Sequence, residues 1–151
     1  MKINYIILLL ALTISACGSK GQKSEEQSVQ QTNESAETKS AIQPDHPGKK
    51  VYDSVCLACH MANGSGVPGM HPPLAETDWV TGDKERLIKL TLEGMSGKIE
   101  VKGEEYNSIM PPHSHLTNKQ IADVLTYIRG SFGNNASEVT VEEVQEVRNS
   151  L

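Results

Sequence analysis

Five consecutive residues, Cys56-Leu57-Ala58-Cys59-His60, limit what this chain can fold into more than any other feature. Two thiols on one short turn, followed at once by an imidazole, is the spacing by which a polypeptide holds haem covalently. Each thiol would add to one vinyl group, and the histidine beside the second thioether would lie under the iron. A longer spacer would swing the ring off the metal axis. A domain built on this pentapeptide has to wrap a large flat cofactor.

Three other readings of the Cys pair compete. A thioredoxin-like dithiol belongs beside a βαβ pattern, and no such pattern stands here. A structural zinc site takes four ligands, and the chain has no second Cys pair and no His-x₃₋₅-His cluster to complete one. A local disulfide leaves His60 unexplained.

Residues 1–16 read as an export signal: Lys2 supplies positive charge and Ile3 to Ile14 form an almost wholly apolar run. That run is shorter than the roughly 20 apolar residues a membrane-spanning helix needs. It ends Ile14-Ser15-Ala16-Cys17, which resembles a bacterial lipobox, so cleavage is expected before Cys17, with lipid on that thiol; an ordinary secretory signal with an incidental cysteine is the alternative. Cysteine arithmetic agrees. Of the three cysteines, Cys17 goes to lipid and Cys56 and Cys59 go to haem, leaving no thiol unassigned. The mature protein is expected outside the cytoplasm, anchored on the periplasmic side or the cell surface. Loss of Lys2 takes the net charge from −5 to about −6. That balance argues against nucleic acid, which requires clustered cations.

Residues 17–44 hold the lipidated Cys and then Ser, Gln, Glu, Lys and Thr with almost no large apolar residue, so a disordered tether is expected. Its r.m.s. reach would be roughly 30 Å. The folded domain is placed at residues 45–135. Pro47 to Val55 should be a helix running into the Cys motif, with Val51, Tyr52 and Val55 on one face. Asp83 to Glu93 should form a second, ended by Gly94. Thr117 and Gln120 make a capping box for a third, with Ile121, Val124, Leu125 and Ile128 at helical spacing up to Gly130. Between them, residues 63–74 are rich in Gly and Pro, suited to close wrapping. Trp79 is expected to be buried, either near the cofactor edge or as a plain core residue. Residues 136–151 should add a short amphipathic tail helix. The class is all-α.

With these features assembled, the domain resembles the class I cytochromes c, which carry one haem with His/Met ligation; here the form is that of a bacterial lipoprotein. Gly48 stands eight residues before Cys56, and Tyr52 follows at the family's aromatic position. The resemblance implies that the first helix crosses the last at Gly48, with Tyr127 as the partner aromatic. It covers about Asp45 to Asn135 and includes the ending Ser131-Phe132-Gly133-Asn134. It also implies that a proline carbonyl accepts a hydrogen bond from the haem histidine: Pro72 by position, with Pro73 the alternative. Such a bond would fix the tautomer of His60 and raise its basicity toward iron.

The sixth ligand decides function, because a closed His/Met iron suits electron transfer whereas an open one binds small molecules. Met61 adjoins His60 and cannot readily reach the other haem face, and Met70 precedes the Pro72-Pro73 stretch on the same side as His60. Met95 follows a helix end without further support. Met110, on the loop before the last helix and stiffened by Pro111 and Pro112, matches the family's Met-Pro element. His113 and His115 on the same loop are its rivals; His46 and His71 have no special claim. The expected function is single-electron transfer between respiratory partners by a membrane-anchored carrier, with covalent haem c and its iron as cofactor and no small-molecule substrate. The alternative is a haem-bearing subunit of a larger oxidase, reductase or dehydrogenase. A peroxidase or ligand sensor with an open iron is a third reading; a second Cys-x-x-Cys-His, as a di-haem peroxidase needs, is missing.

Overall fold

The computed structural model describes residues 45–151. The leader, Cys17 and the tether expected over residues 1–44 lie outside them. In chain order the elements are α1 (Pro47–Val55), α2 (Leu57–His60), α3 (Asp78–Thr81), α4 (Lys84–Glu93), β1 (Ile99–Val101), β2 (Glu104–Tyr106), α5 (Asn118–Gly130) and α6 (Val141–Ser150). Each long helix begins where its capping chemistry says it should. Pro47 opens α1 with its fixed φ, and the Nδ1 of His46 accepts from the Gly48 N–H at 3.1 Å. Asp83 caps α4 rather than joining it, and Thr117 and Gln120 form the reciprocal box of α5.

α1 and α5 cross where Gly48 has no side chain. A Cβ there would meet the Asp123 carbonyl and stand 2.8 Å from the Tyr127 Cβ, so only glycine permits this approach. The aromatic rings of Tyr52, Tyr127 and Phe132 close the crossing, Tyr52 to Tyr127 at 5.6 Å and Tyr52 to Phe132 at 5.2 Å between centroids. Ile121, Val124, Leu125 and Ile128 of α5 bury together with Leu87, Ile88 and Leu92 of α4.

Two features extend the sequence reading. The helical class holds, but a short hairpin, β1 paired antiparallel with β2, interrupts it. Its two-residue turn, Lys102 and Gly103, has φ of 54° and 80°, the geometry of a type I′ turn. The core also does not stop at residue 135. Val144 and Val147 of α6 are buried in it, and Val139 joins them from an extended segment held through the Thr126 hydroxyl. The tail helix starts at Val141 because Thr140 and Glu143 form a second capping box. Among the described residues, no helix is long and apolar enough to cross a membrane.

Candidate functional site

Cys56 lies at the junction of α1 and α2, and the turn after it brings the motif's side chains together. The N–H groups of Cys59 and His60 both donate to the Cys56 carbonyl, at 3.2 and 2.9 Å. Cys56, Cys59 and His60 are thus at i, i+3 and i+4, one face of a helical turn. Met61, at φ 64°, ends the turn, and its carbonyl accepts from the Tyr52 hydroxyl at 2.7 Å.

The Gly/Pro loop then folds back beneath His60. Gly66 donates to the His60 carbonyl at 3.1 Å, and Leu74 donates to the Gly64 carbonyl at 2.8 Å. A Cβ at Gly66 would lie 2.6 Å from the Pro72 carbonyl, so the fold-back requires glycine as well as its φ of 64°. The result is a 3.0 Å hydrogen bond from His60 Nδ1 to the Pro72 carbonyl, which leaves Nε2 as the ring's free nitrogen. Burial holds the proton affinity of His60 below the usual histidine value against the opposing pull of Pro72, with His71 and His113 adding to the depression. A neutral imidazole with Nε2 bare is the form that ligates a metal. Burial and the neighbouring Cys59 raise the Cys56 thiol to about 11.

A second wall comes from the end of α4 and the loop that follows the hairpin. Gly94 ends α4 at φ 75°, and a Cβ on it would stand 2.8 Å from the Pro112 nitrogen. Met95 and Met110 then pair backbone to backbone, N–H to carbonyl in both directions, at 2.9 and 2.8 Å. The His113 N–H donates to the Thr91 carbonyl at 3.0 Å.

Between the walls lies one cleft of about 1110 Å³, open mouth included, bordered by Cys56, Cys59 and His60 and by Met95, Met110 and His113. Its remaining lining is mostly apolar and includes Leu87, Val124, Leu125, Ile128 and the inward face of the hairpin.

The other sequence candidates are dispersed. Met70 is 52% exposed and Met61 42%, and neither borders the cleft. His46 caps α1, and His115 is exposed. Trp79 corrects an expectation: it borders the cleft but is only half-buried, because its Nε1 reaches out to the Glu100 carbonyl at 3.0 Å and the Arg86 guanidinium covers its ring at 4.8 Å. His71 and Met95, given no claim or little support by the sequence, both border the cleft. The hairpin wall had a readable signal, Ile99, Val101 and Tyr106 about the turn pair Lys102-Gly103. Asn134, which sequence marks only as part of the family ending Ser131 to Asn134, ties the loop to α5 by bonds to the carbonyls of Leu74 and Ile128 and from the Glu76 N–H.

The residues fit a haem. Two thiols and an available imidazole nitrogen share one helical face, thioethers stand on the second wall, and the space between is largely apolar. A helical shell with this cleft defines a c-type haem protein. The family model for cytochrome c matches residues 46–131, and the chain belongs to that family. It is 40% identical over 111 residues to cytochrome c-552 of Thermus thermophilus, covering 67% of this chain and 83% of that protein. It is also 33% identical over 105 residues to the cytochrome c subunit of a quinone alcohol dehydrogenase from Gluconobacter oxydans, covering 67% of this chain but 22% of that one. For the gluconate 2-dehydrogenase cytochrome c subunit of Pantoea cypripedii the identity is 36% over 109 residues, and the coverage 67% and 24%. The chain is a mono-haem class I cytochrome c, an electron carrier whose cofactor is covalently held haem c with its iron.

Proposed function

We propose that this cytochrome is a lipid-anchored carrier that moves single electrons between respiratory proteins outside the cytoplasm. In this reading Cys56 and Cys59 hold the haem as thioethers, His60 and Met110 are the axial ligands, and the Pro72 carbonyl orients His60. Residues 1–16 are the lipoprotein signal, Cys17 carries the lipid, residues 17–44 are the tether, residues 45–135 the haem domain and residues 136–151 its tail.

The observation that carries the reading is the cleft that Met110 shares with His60, whose Nδ1 is already engaged by Pro72. The haem, when bound, supplies a one-electron Fe(III)/Fe(II) couple. Around it the protein acts mainly by holding still. The Pro72 bond prevents the His60 ring from rotating, and the Met95–Met110 pair anchors the thioether's backbone. Tyr52 and the α1–α5 crossing keep the Cys-bearing turn in place. A rigid, mostly apolar site changes little when charge is added, which favours fast outer-sphere transfer.

The relatives favour a second reading, since several are cytochrome subunits of dehydrogenases. On that reading this chain serves one larger complex as its haem subunit. The axial assignment is tested by Met110→Ala, which should remove the near-infrared sulfur-to-iron band and lower the reduction potential, while Met95→Leu keeps the band. The reverse pattern would make Met95 the ligand.

A further inference from the structure

His113 is the one described histidine that is nearly fully buried, at 7% exposure. It borders the haem cleft, three residues beyond Met110, and its backbone is fixed by the bond to Thr91. Its Nδ1 is sealed from solvent and has no hydrogen-bond partner among the described residues. A buried polar atom left in this state calls for a reason. Among the described residues, what acts on the ring is burial and the ring of His115, 5.9 Å away edge to face, and both disfavour a charged imidazolium.

A neutral imidazole carries one N–H. At Nδ1 that proton would be a sealed donor with nothing to receive it. Among the described residues Nε2 has no hydrogen-bond partner and is not sealed, and the residue to which it belongs lines the cleft. The proton therefore belongs on Nε2.

We propose that His113 donates a hydrogen bond from Nε2 to an acceptor in the haem-loaded cleft and thereby favours the reduced state. The acceptor is either a propionate carboxylate of the cofactor or the thioether sulfur bound to iron. Reduction adds one negative charge to the cleft. An N–H whose positive end faces that charge stabilises it, strongly where the walls are apolar. One electron enters from the donor protein, and the hydrogen bond stabilises the added charge without a proton having to leave the ring. The inference rests on the haem reading above. A purified chain without haem would remove both; haem retained with an unaltered potential would remove only this one.

The test is an optical redox titration of the full-length holoprotein with His113→Phe and His113→Gln. Phenylalanine keeps a ring and loses the donor, whereas glutamine puts an amide N–H₂ within reach of the Nε2 position. In His113→Phe the reduced-to-oxidised ratio at a fixed potential should fall about tenfold, a shift of about 59 mV for one electron, and His113→Gln should restore most of it. A changed near-infrared sulfur band in His113→Phe identifies the thioether as acceptor, and an unchanged band with a lowered potential identifies the propionate. An unaltered potential in His113→Phe, or an equal fall in His113→Gln, overturns the proposal. Should His113→Phe not fold, long-range ¹H–¹⁵N correlation of the reduced wild-type protein locates the ring proton independently. An Nε2–H that exchanges slowly is expected, and a proton on Nδ1 overturns the proposal.

Discussion

Replacing Gly48 by alanine sets two opposed effects against each other at the α1–α5 crossing. In a helix interior alanine is favoured over glycine by about 1 kcal/mol, because glycine loses more backbone freedom on folding, and Gly48, in the first turn of α1, gains at most that. Against this stands the added methyl group, which would press on the Asp123 carbonyl and approach the Tyr127 Cβ to 2.8 Å. Its chief obstacle is backbone, which cannot step aside by changing rotamer, so α1 has to tilt or slide off α5. Overpacking of this kind costs up to about 3 kcal/mol. The net expectation is a loss of about 2 kcal/mol, or about 10 °C in Tm for a domain near 100 residues. Denaturant and thermal unfolding of the holoprotein, followed by far-ultraviolet circular dichroism, measure it. Because α1 runs directly into Cys56, the haem absorption of the variant should also change where the Cys-bearing turn shifts. A Gly48→Ala protein as stable as the wild type, or more so, would refute the close-approach argument and leave helix propensity in charge.

Two further predictions concern pH and the membrane. Burial and His115 depress the proton affinity of His113, so below about pH 6.5 the unfolded chain binds a proton that the folded chain does not. This contribution to stability is complete above that pH and is lost as pH falls through the depressed value; denaturation between pH 5 and 8 should show the slope, shallower in His113→Gln. Cys17→Ser should move the protein from the membrane fraction to the soluble fraction, and unchanged retention would contradict lipidation.

Local chemistry is what makes parts of this sequence legible. The Cys56–His60 spacing, the Thr117–Gln120 box and the apolar period of Ile121 to Ile128 each involve residues within one or two turns, and the family pattern adds the Gly48 crossing. The cleft's second wall is harder to read. Met95 and Met110 meet only because α4 ends at Gly94 and the intervening hairpin turns the chain back, a pairing across 15 positions that no helical period encodes. The hairpin strands have three residues each, too short for alternation alone to mark them, so the turn pair Lys102-Gly103 is the part of this wall that sequence carries. Trp79 looks like a core residue by type, and its pairing with Arg86 and Glu100 is a tertiary matter. Residues 136–151 look like an appendage because their valines alternate with acids; the burial of Val144 and Val147 depends on a groove between α4 and α5 that exists only after folding.

Electron transfer by this chain depends above all on a porphyrin joined to it at Cys56 and Cys59. Intact-mass spectrometry of the protein expressed in a host that matures c-type cytochromes, with peptide mapping after denaturation, tests this directly. The expected result is a mass raised by one haem, retained on the peptide that carries both cysteines and lost in the Cys56→Ala, Cys59→Ala double variant. An unmodified Cys56–Cys59 peptide with free thiols or a disulfide would contradict it.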